Sequence, residues 1–238
     1  MRSISENIMQ VRRKVDEAAA RCGRNGEDVT IIAVTKTRTP EAILEAVKAG
    51  LLDLGENKVQ EIQDKYEVVS DAATQMKTFV NWHMIGHLQR NKVKYLIGKV
   101  YLIHSVDSFR LCAEIDKHAK ANGLIQDILV QVNAAEEDSK FGLTVDETPK
   151  LVEEILIGLE NVRIRGLMTI GPLTEEPEET RQFFRMVRSM YDGMNRDFSH
   201  ERLDMQILSM GMTNDYEVAI EEGSNMIRVG TGLFGPRV

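Results

Sequence analysis

Apolar residues along this chain recur with two different spacings, and the two spacings alternate from its first residues to its last. The first segment places them three or four positions apart, as on one face of a helix, at Ile4, Ile8, Val11, Val15, Ala19 and Cys22. Ser3 and Glu6 stand in the relation of a capping box, which predicts an amphipathic helix ending near Gly23. Residues 29–35 then form a nearly continuous, β-branched apolar run, typical of a strand buried on both faces.

The alternation of strand and helix patterns continues along the rest of the chain. Strands are predicted at residues 29–35, 52–56, 82–85, 100–104, 128–133, 162–170, 205–210 and 226–229. Helices are predicted at residues 40–50, after Lys58, from Leu88, from Asp107, after Val145, after Pro177 and near Tyr216. Strict alternation implies a parallel sheet, and eight units favour a closed (β/α)8 TIM barrel with an extra amino-terminal helix over an open doubly wound sheet. No linker or low-complexity tract divides the chain, so we expect one domain over residues 1–238.

Charge and cysteine usage narrow the classes of partner. Lys and Arg total 30 against 37 Asp and Glu, a net charge of −7, and no basic patch is evident, so no nucleic-acid partner is expected. Cys22 and Cys112 lie far apart without a disulfide or zinc spacing, which suggests a reducing compartment, and both are expected to be buried. No signal peptide or membrane-length apolar run is present. We therefore expect a cytoplasmic protein without a membrane partner, and a monomer.

In a barrel of this kind, catalytic and ligand-binding residues lie at the carboxyl ends of the strands. Lys36 closes the first predicted strand, either as a lysine marking the point where the strand meets solvent or as a partly buried amine able to form an imine with a carbonyl. Asn57 follows the second strand, where it could bond a ligand ring substituent or cap the next helix. His83, in the third strand, is expected to face a cofactor or to be a satisfied core histidine, because the sequence lacks the further ligands of a metal site.

The last third of the chain carries two loops suited to a phosphate. Ser209 lies at the end of the seventh predicted strand, and Gly230 and Thr231 lie at the end of the eighth. Barrels frequently bind phosphate between these two loops, through backbone N–H groups that glycine exposes and through hydroxyl donors. In a closed barrel the first strand lies beside the eighth, so Lys36 would share one mouth with this phosphate site. An aldehyde that bears a phosphate fits both groups.

Ordered motifs along essentially the whole chain resemble one known family, the pyridoxal phosphate homeostasis proteins, whose fold is similar to the amino-terminal barrel of alanine racemase. The motifs occupy residues 33–36, 55–57, 82–86, 88–92, 133, 139–142, 165–168, 209–212, 227–231 and 234–235. Thr35 and Thr213 stand where this family commonly has serine, which preserves the hydroxyl group. So many matches in order are highly specific.

The resemblance implies a site for pyridoxal 5′-phosphate (PLP). It implies that Lys36 carries PLP as a Schiff base, that Arg228 faces the pyridine nitrogen, and that the phosphate is held by Ser209, Thr213, Gly230 and Thr231. The implied role is to store and deliver the vitamin B6 cofactor, with PLP-requiring apo-enzymes as the partner class. No catalytic residue is predicted. An arginine beside the pyridine nitrogen weakens the electron sink that PLP enzymes use, but alanine racemase has the same pairing, so the missing second base is the stronger reason.

Two other functions stay open on sequence grounds. A racemase-like PLP enzyme would need a second base, which alanine racemase takes from a carboxyl-terminal domain, and this chain ends at Val238. A phosphate-binding barrel without PLP would carry no lysine adduct. Lys140 could assist transfer of the cofactor or could be a surface charge.

Overall fold

A computed structural model describes residues 3–137 and 140–236 and shows eight parallel strands closed into a barrel in chain order. The strands are β1 (Thr30–Val34), β2 (Asp53–Glu56), β3 (Asn81–Met84), β4 (Leu102–Val106), β5 (Gln126–Val132), β6 (Val162–Thr169), β7 (Leu203–Met212) and β8 (Met226–Val229). The helices are α1 (Ile4–Arg21), α2 (Pro40–Lys48), α3 (Val59–Gln75), α4 (Phe109–Ala121), α5 (Thr148–Gly158), α6 (Arg181–Asp197), α7 (Tyr216–Glu221) and α8 (Thr231–Phe234). The predicted barrel and the extra amino-terminal helix are confirmed.

The barrel closes where β1 pairs with β8, with Ala33 opposite Val229. Two apolar cores result. A large one lies between the strands and the helices. The smaller one fills the interior with one side chain from each of six strands: Ile32, Leu102, Leu129, Met168, Ile207 and Met226. Side chains alternate along a strand, so residues two positions farther along the same strands also face the interior.

Several predicted boundaries differ from the structure. The segment after Leu88 forms a 3-10 helix, Arg90–Tyr95, instead of an α-helix. Strand β5 begins at Gln126, two residues earlier than predicted, because polar residues open it. Strand β7 continues to Met212, so Ser209 lies within the strand and not at its end. Cys112 is buried as expected, but the expectation for Cys22 is wrong: it is exposed at the end of α1.

Helix α1 packs across the point where the barrel closes. Its cap has both reciprocal hydrogen bonds predicted from the sequence, with Ser3 and Glu6 as partners. The Asn7 side-chain amide donates to the Leu233 carbonyl oxygen of α8 at 2.9 Å, and Lys14 forms an ion pair with Glu217 of α7. Thus α1 holds the two helices that follow β7 and β8. Within the part of the chain that the structure describes, no helix has the length and apolar character needed to cross a membrane.

Candidate functional site

The carboxyl ends of β1 and β8 lie side by side at one mouth of the barrel. A Cβ atom on Gly230 would stand 3.5 Å from the Cβ of Val34, which shows how closely the loop after β8 approaches the end of β1. The Arg38 guanidinium, after β1, donates to the Gly235 carbonyl oxygen after α8. Lys36 lies between these contacts, half-buried in the turn that follows β1. The structure therefore places Lys36 beside the glycine loop, as a closed barrel requires.

The glycine loop and the end of β7 form a small group of hydrogen-bond donors. The Thr213 hydroxyl oxygen accepts hydrogen bonds from the backbone N–H groups of Gly230 and Gly232, at 3.3 and 3.5 Å. A side chain on Gly232 would meet Val229 at 2.9 Å and Thr213 at 3.2 Å, so glycine is needed there. Thr231 is exposed at the start of α8. Two backbone N–H groups and the Thr213 hydroxyl group thus meet beside the start of α8, where an anion could bind.

Above the apolar interior layer, the barrel holds a layer of polar side chains. His104, Ser209 and Arg228 each follow an interior apolar residue by two positions, on β4, β7 and β8. His83 joins them from β3. All four residues are buried, with exposed fractions of 0 to 4%. Buried polar groups at this depth need partners, and here they bond one another.

These side chains form one chain of hydrogen bonds across the barrel. Arg228 Nη1 lies 2.6 Å from Ser209 Oγ, and His104 Nδ1 lies 3.2 Å from the same oxygen. His104 Nε2 lies 3.0 Å from His83 Nδ1, and His83 Nε2 lies 3.0 Å from Asp53 Oδ1. Asp53 is the first residue of β2, so the chain runs from the carboxyl ends of the strands towards their amino ends.

The chemistry of the two ends restricts where the protons of this chain can lie. A guanidinium only donates and a carboxylate only accepts. Ser209 therefore accepts from Arg228 and, in the arrangement with a neutral His83, donates its own proton to His104 Nδ1. His104 then carries its proton on Nε2 and donates to His83, which in turn donates from Nε2 to Asp53. Both histidines are neutral in this arrangement, and every contact has one proton.

Charge and burial favour the same state. Burial, with the positive charge of the Arg228 guanidinium, holds the pKa of His104 well below its usual range. Burial lowers the pKa of Arg228 to about 10, so this side chain is still charged near neutral pH. A second Arg228 nitrogen donates to the Thr169 carbonyl oxygen at 2.8 Å. The guanidinium is therefore fixed in orientation as a donor at the barrel mouth.

The stability of the fold should depend on pH through His104. An unfolded histidine with its ordinary pKa near 6.5 binds a proton that folded His104 does not, so stabilisation present above that pH is lost as pH falls below it. One proton corresponds to a slope of at most about 1.4 kcal/mol per pH unit. Urea unfolding of wild type between pH 7.5 and 5.5 should show this loss, and His104→Gln should reduce its slope. His118→Gln on the surface of α4 is the control; equal slopes in all three proteins would contradict the assignment.

The structure bears on two of the sequence candidates and places one of them, Ser209, differently from the expectation. Ser209 was expected on the phosphate, but its hydroxyl group bonds His104 and Arg228 inside the barrel. His83 was expected to face a cofactor or to be a satisfied core histidine, and it is fully buried with a hydrogen-bond partner on each ring nitrogen. His104 was not predicted as a site residue. The signal was present, since a histidine two positions after an interior leucine must face the same way.

Asn57 follows β2 at the same mouth and is half-buried. Gly86, after β3, packs directly on its backbone: a Cβ atom there would lie 2.3 Å from the Asn57 carbonyl oxygen. The position of Asn57 is therefore set by the neighbouring loop, and its side chain follows the interior alternation of Asp53 and Gly55.

Lys140 lies beside a cavity of about 180 Å³ between the loops after β5, β6 and β7. Its ammonium donates to Glu137 Oε1 at 2.7 Å and to the Gly171 carbonyl oxygen at 2.9 Å. The side chain is only 21% exposed, so it is not a simple surface charge. Asp138 and Ser139, its neighbours in the predicted motif, lie outside the described residues.

Comparison with known proteins identifies the family. Residues 6–238 match the model of the alanine racemase N-terminal domain. The pyridoxal phosphate homeostasis protein of Aquifex aeolicus is 43% identical to this chain over 98% of it and 97% of the relative. The chain belongs to the pyridoxal phosphate homeostasis protein family. The Escherichia coli K12 member of this family is 36% identical over 100% of this chain and 98% of its own length.

Solved structures agree with this family assignment. PipY of Synechococcus elongatus, determined with PLP bound, superimposes with a TM-score of 0.81 at 31% identity and covers 98% of this chain and 100% of PipY. An uncharacterised Bifidobacterium adolescentis protein superimposes with a TM-score of 0.92 at 32% identity, over 97% of this chain and 94% of that one. Alanine racemase of Clostridium difficile shares the fold alone, at 16% identity and a TM-score of 0.70, over 95% of this chain and 59% of the racemase chain.

Proposed function

We propose that this chain binds PLP as a Schiff base on Lys36 and serves in PLP homeostasis by storing the cofactor and delivering it. The observation that carries the proposal is the shared mouth: the turn that holds Lys36 lies against the Gly230 loop, where backbone N–H groups and the Thr213 hydroxyl converge. Bound PLP supplies a phosphate for that loop and an aldehyde for the amine. The family relatives named for PLP homeostasis, and PipY with its bound PLP, support the same function.

The residues present fit the cofactor. Thr213, Gly230 and Thr231 would hold the phosphate, and Asn57 would contact the ring from β2. Arg228 is charged and held as a donor by Ser209 and Thr169, which suits an unprotonated pyridine nitrogen. We propose that His83 and Ser209 contribute through Arg228, which they orient, and not by contact with the phosphate.

We propose storage and delivery in place of catalysis. A donor fixed at the pyridine nitrogen keeps that nitrogen unprotonated, so the ring is a weaker acceptor of electrons. The relatives are named homeostasis proteins and not racemases. Incubation of the PLP-loaded protein with α-deuterated alanine tests this point. We expect alanine to retain its α-deuteron. Release of the deuteron at a rate proportional to the protein concentration would identify a PLP enzyme.

The direct test of the proposed function is titration of the purified protein with PLP, followed by borohydride reduction and peptide mapping. We expect an imine absorption band and a reduced adduct on Lys36. A protein that stays colourless at saturating PLP would contradict the proposal, and an adduct on a different lysine would overturn the site.

The phosphate assignment predicts a difference between two ligands. Thr213→Val removes the hydroxyl group beside Gly230 and Gly232, and should weaken PLP binding by about tenfold, as loss of a hydrogen bond to a charged group does. Pyridoxal, which lacks the phosphate, should bind equally to wild type and variant. Binding is measured by absorbance titration, with Thr74→Val on α3 as control. An equal loss for both ligands would show that Thr213 does not hold the phosphate.

Location and partners complete the proposal. The chain's two cysteines are free, which supports a cytoplasmic setting, where PLP-requiring apo-enzymes are present. We propose a monomer that loads such enzymes, with Lys140 assisting release of the cofactor. Light scattering tests the monomer, and reactivation of a PLP-free enzyme by the loaded protein tests delivery. If Lys140→Ala bound and released PLP at wild-type rates, Lys140 would have no part in delivery of the cofactor.

A further inference from the structure

A buried lysine on α3 lies behind the turn that holds Lys36. Lys65 is 10% exposed, although helix lysines usually face solvent. Its ammonium donates to the Thr35 carbonyl oxygen at 3.0 Å, to Glu56 Oε1 at 2.7 Å and to Glu61 Oε2 at 2.8 Å. These contacts use all three N–H groups that a lysine has.

The two carboxylates extend this contact to both sides of Lys36. Glu56 Oε1 accepts a hydrogen bond from the Thr35 hydroxyl group at 2.7 Å, just before Lys36. Glu61 Oε2 accepts one from the Thr37 backbone N–H at 2.7 Å, just after it. Lys65, Glu56 and Glu61, here called the clamp, therefore hold both neighbours of Lys36 without occupying the barrel mouth.

The turn needs to be held because of Thr37. Its φ of +63° lies in the left-handed region, which is unfavourable for a β-branched residue. A left-handed residue other than glycine costs about 1–2 kcal/mol, and such a conformation persists only where its surroundings impose it. The Glu61 carboxylate provides that constraint through the Thr37 amide.

We propose that the clamp is a positioning device, which fixes the left-handed turn at Thr37 so that the Lys36 amine is directed into the barrel mouth. The proposal rests on the proposed function, in which Lys36 condenses with PLP. A buried ion pair contributes little net stability compared with apolar residues of the same volume. Stability alone therefore does not explain why a lysine and two carboxylates are buried at this place.

One substitution can weaken the clamp, and a second substitution should restore the rate of imine formation that is lost. Glu61→Ala removes the acceptor for Thr37 and leaves the Lys65–Glu56 pair, so the variant should fold. Imine formation at Lys36 should slow about tenfold, because small misplacement of a reacting group has effects of this size. Adding Thr37→Gly should restore most of that rate, because glycine adopts positive φ without strain. The rate is followed by absorbance after mixing with PLP.

Lys77 supplies a matched control, because it is exposed and also left-handed, with φ of +58°, but lies at the end of α3 away from the site. Glu61→Ala combined with Lys77→Gly should gain stability without gaining rate. If Lys77→Gly restored the rate of imine formation as fully as Thr37→Gly does, the clamp would be a general stabiliser of the fold and not a positioning device. Lys65→Met is the harsher variant, since it leaves Glu56 buried without its cation, and its defect should respond to Thr37→Gly in the same way.

A second measurement needs no cofactor. Hydrogen exchange of the Thr37 amide should be at least about tenfold faster in Glu61→Ala than in wild type, as expected when a protecting hydrogen bond is lost. Unchanged exchange would overturn the clamp even if PLP binds at Lys36. The absence of an adduct in wild type, with faster exchange in the variant, would instead overturn the proposed function and leave the clamp supported.

Discussion

Replacement of Lys36 with alanine is expected to abolish the borohydride-stable PLP adduct and to weaken total PLP binding by at least about tenfold. The covalent bond between the amine and the aldehyde carbon is lost, and only the contacts at Thr213, Gly230 and Thr231 remain. The amount of adduct is measured by intact mass after reduction and dialysis. The residual affinity, measured by equilibrium dialysis, then reports the phosphate site alone.

Lys140→Ala is the matched control for this experiment, because it removes another amine near the carboxyl ends of the strands. It should retain the full adduct. If Lys36→Ala retained one PLP per chain after reduction, or if Lys140→Ala lost the adduct, the cofactor would be bound through a different lysine. The assignment of Lys36 would then be wrong.

Gly166→Ala is expected to destabilise the barrel by at least about 3 kcal/mol, or to prevent folding, as severe backbone clashes do. Gly166 has a φ of +144°, and a Cβ atom there would lie 1.8 Å from the Ile207 carbonyl oxygen of β7. The pairing of β6 with β7 shifts register between Ile164 and Gly166. This shift sets the position of Thr169, whose carbonyl oxygen holds Arg228.

Gly193→Ala provides the control, because this glycine lies within α6 and its Cβ atom would come no closer than 3.8 Å to Arg196. Alanine there should stabilise the protein by about 0.5–1 kcal/mol. Urea unfolding of the two variants measures both effects. If Gly166→Ala were soluble and as stable as wild type, β6 could bulge without loss of free energy of unfolding. The close contact with the Ile207 carbonyl oxygen would then not require glycine.

The fold could be predicted because the same alternation of strand and helix patterns recurs along the sequence. Most strands contain an apolar run, and the first and last of them, β1 and β8, each contribute an apolar residue to the interior layer, Ile32 and Met226. Boundaries were less predictable where polar residues extend a strand, as Gln126 does in β5. The prediction also failed at residues 90–95, where a charged segment after β3 forms a 3-10 helix and helical propensity does not distinguish the two types.

The site was only partly predictable. Lys36 and the glycine loop follow from strand order, because β1 and β8 must meet in a closed barrel. The interior position of His104 could have been predicted from strand alternation, but its hydrogen bonds could not, because they depend on the registers that bring His83, His104 and Ser209 to one level. The clamp was equally hidden. Lys65 has the sequence context of an ordinary surface lysine, and only the packing of α3 shows that it is buried.

Closure of the barrel by its first and last strands also fixes when the site can exist during synthesis. A ribosome releases β1 early, so the emerging chain carries Lys36 without the Gly230 loop. Pairing between such distant segments is slow compared with local folding. With the site proposed here, capture of the cofactor would therefore be one of the last events in the biogenesis of this protein, and a product that stops before β8 would have Lys36 without the loop proposed to hold the phosphate.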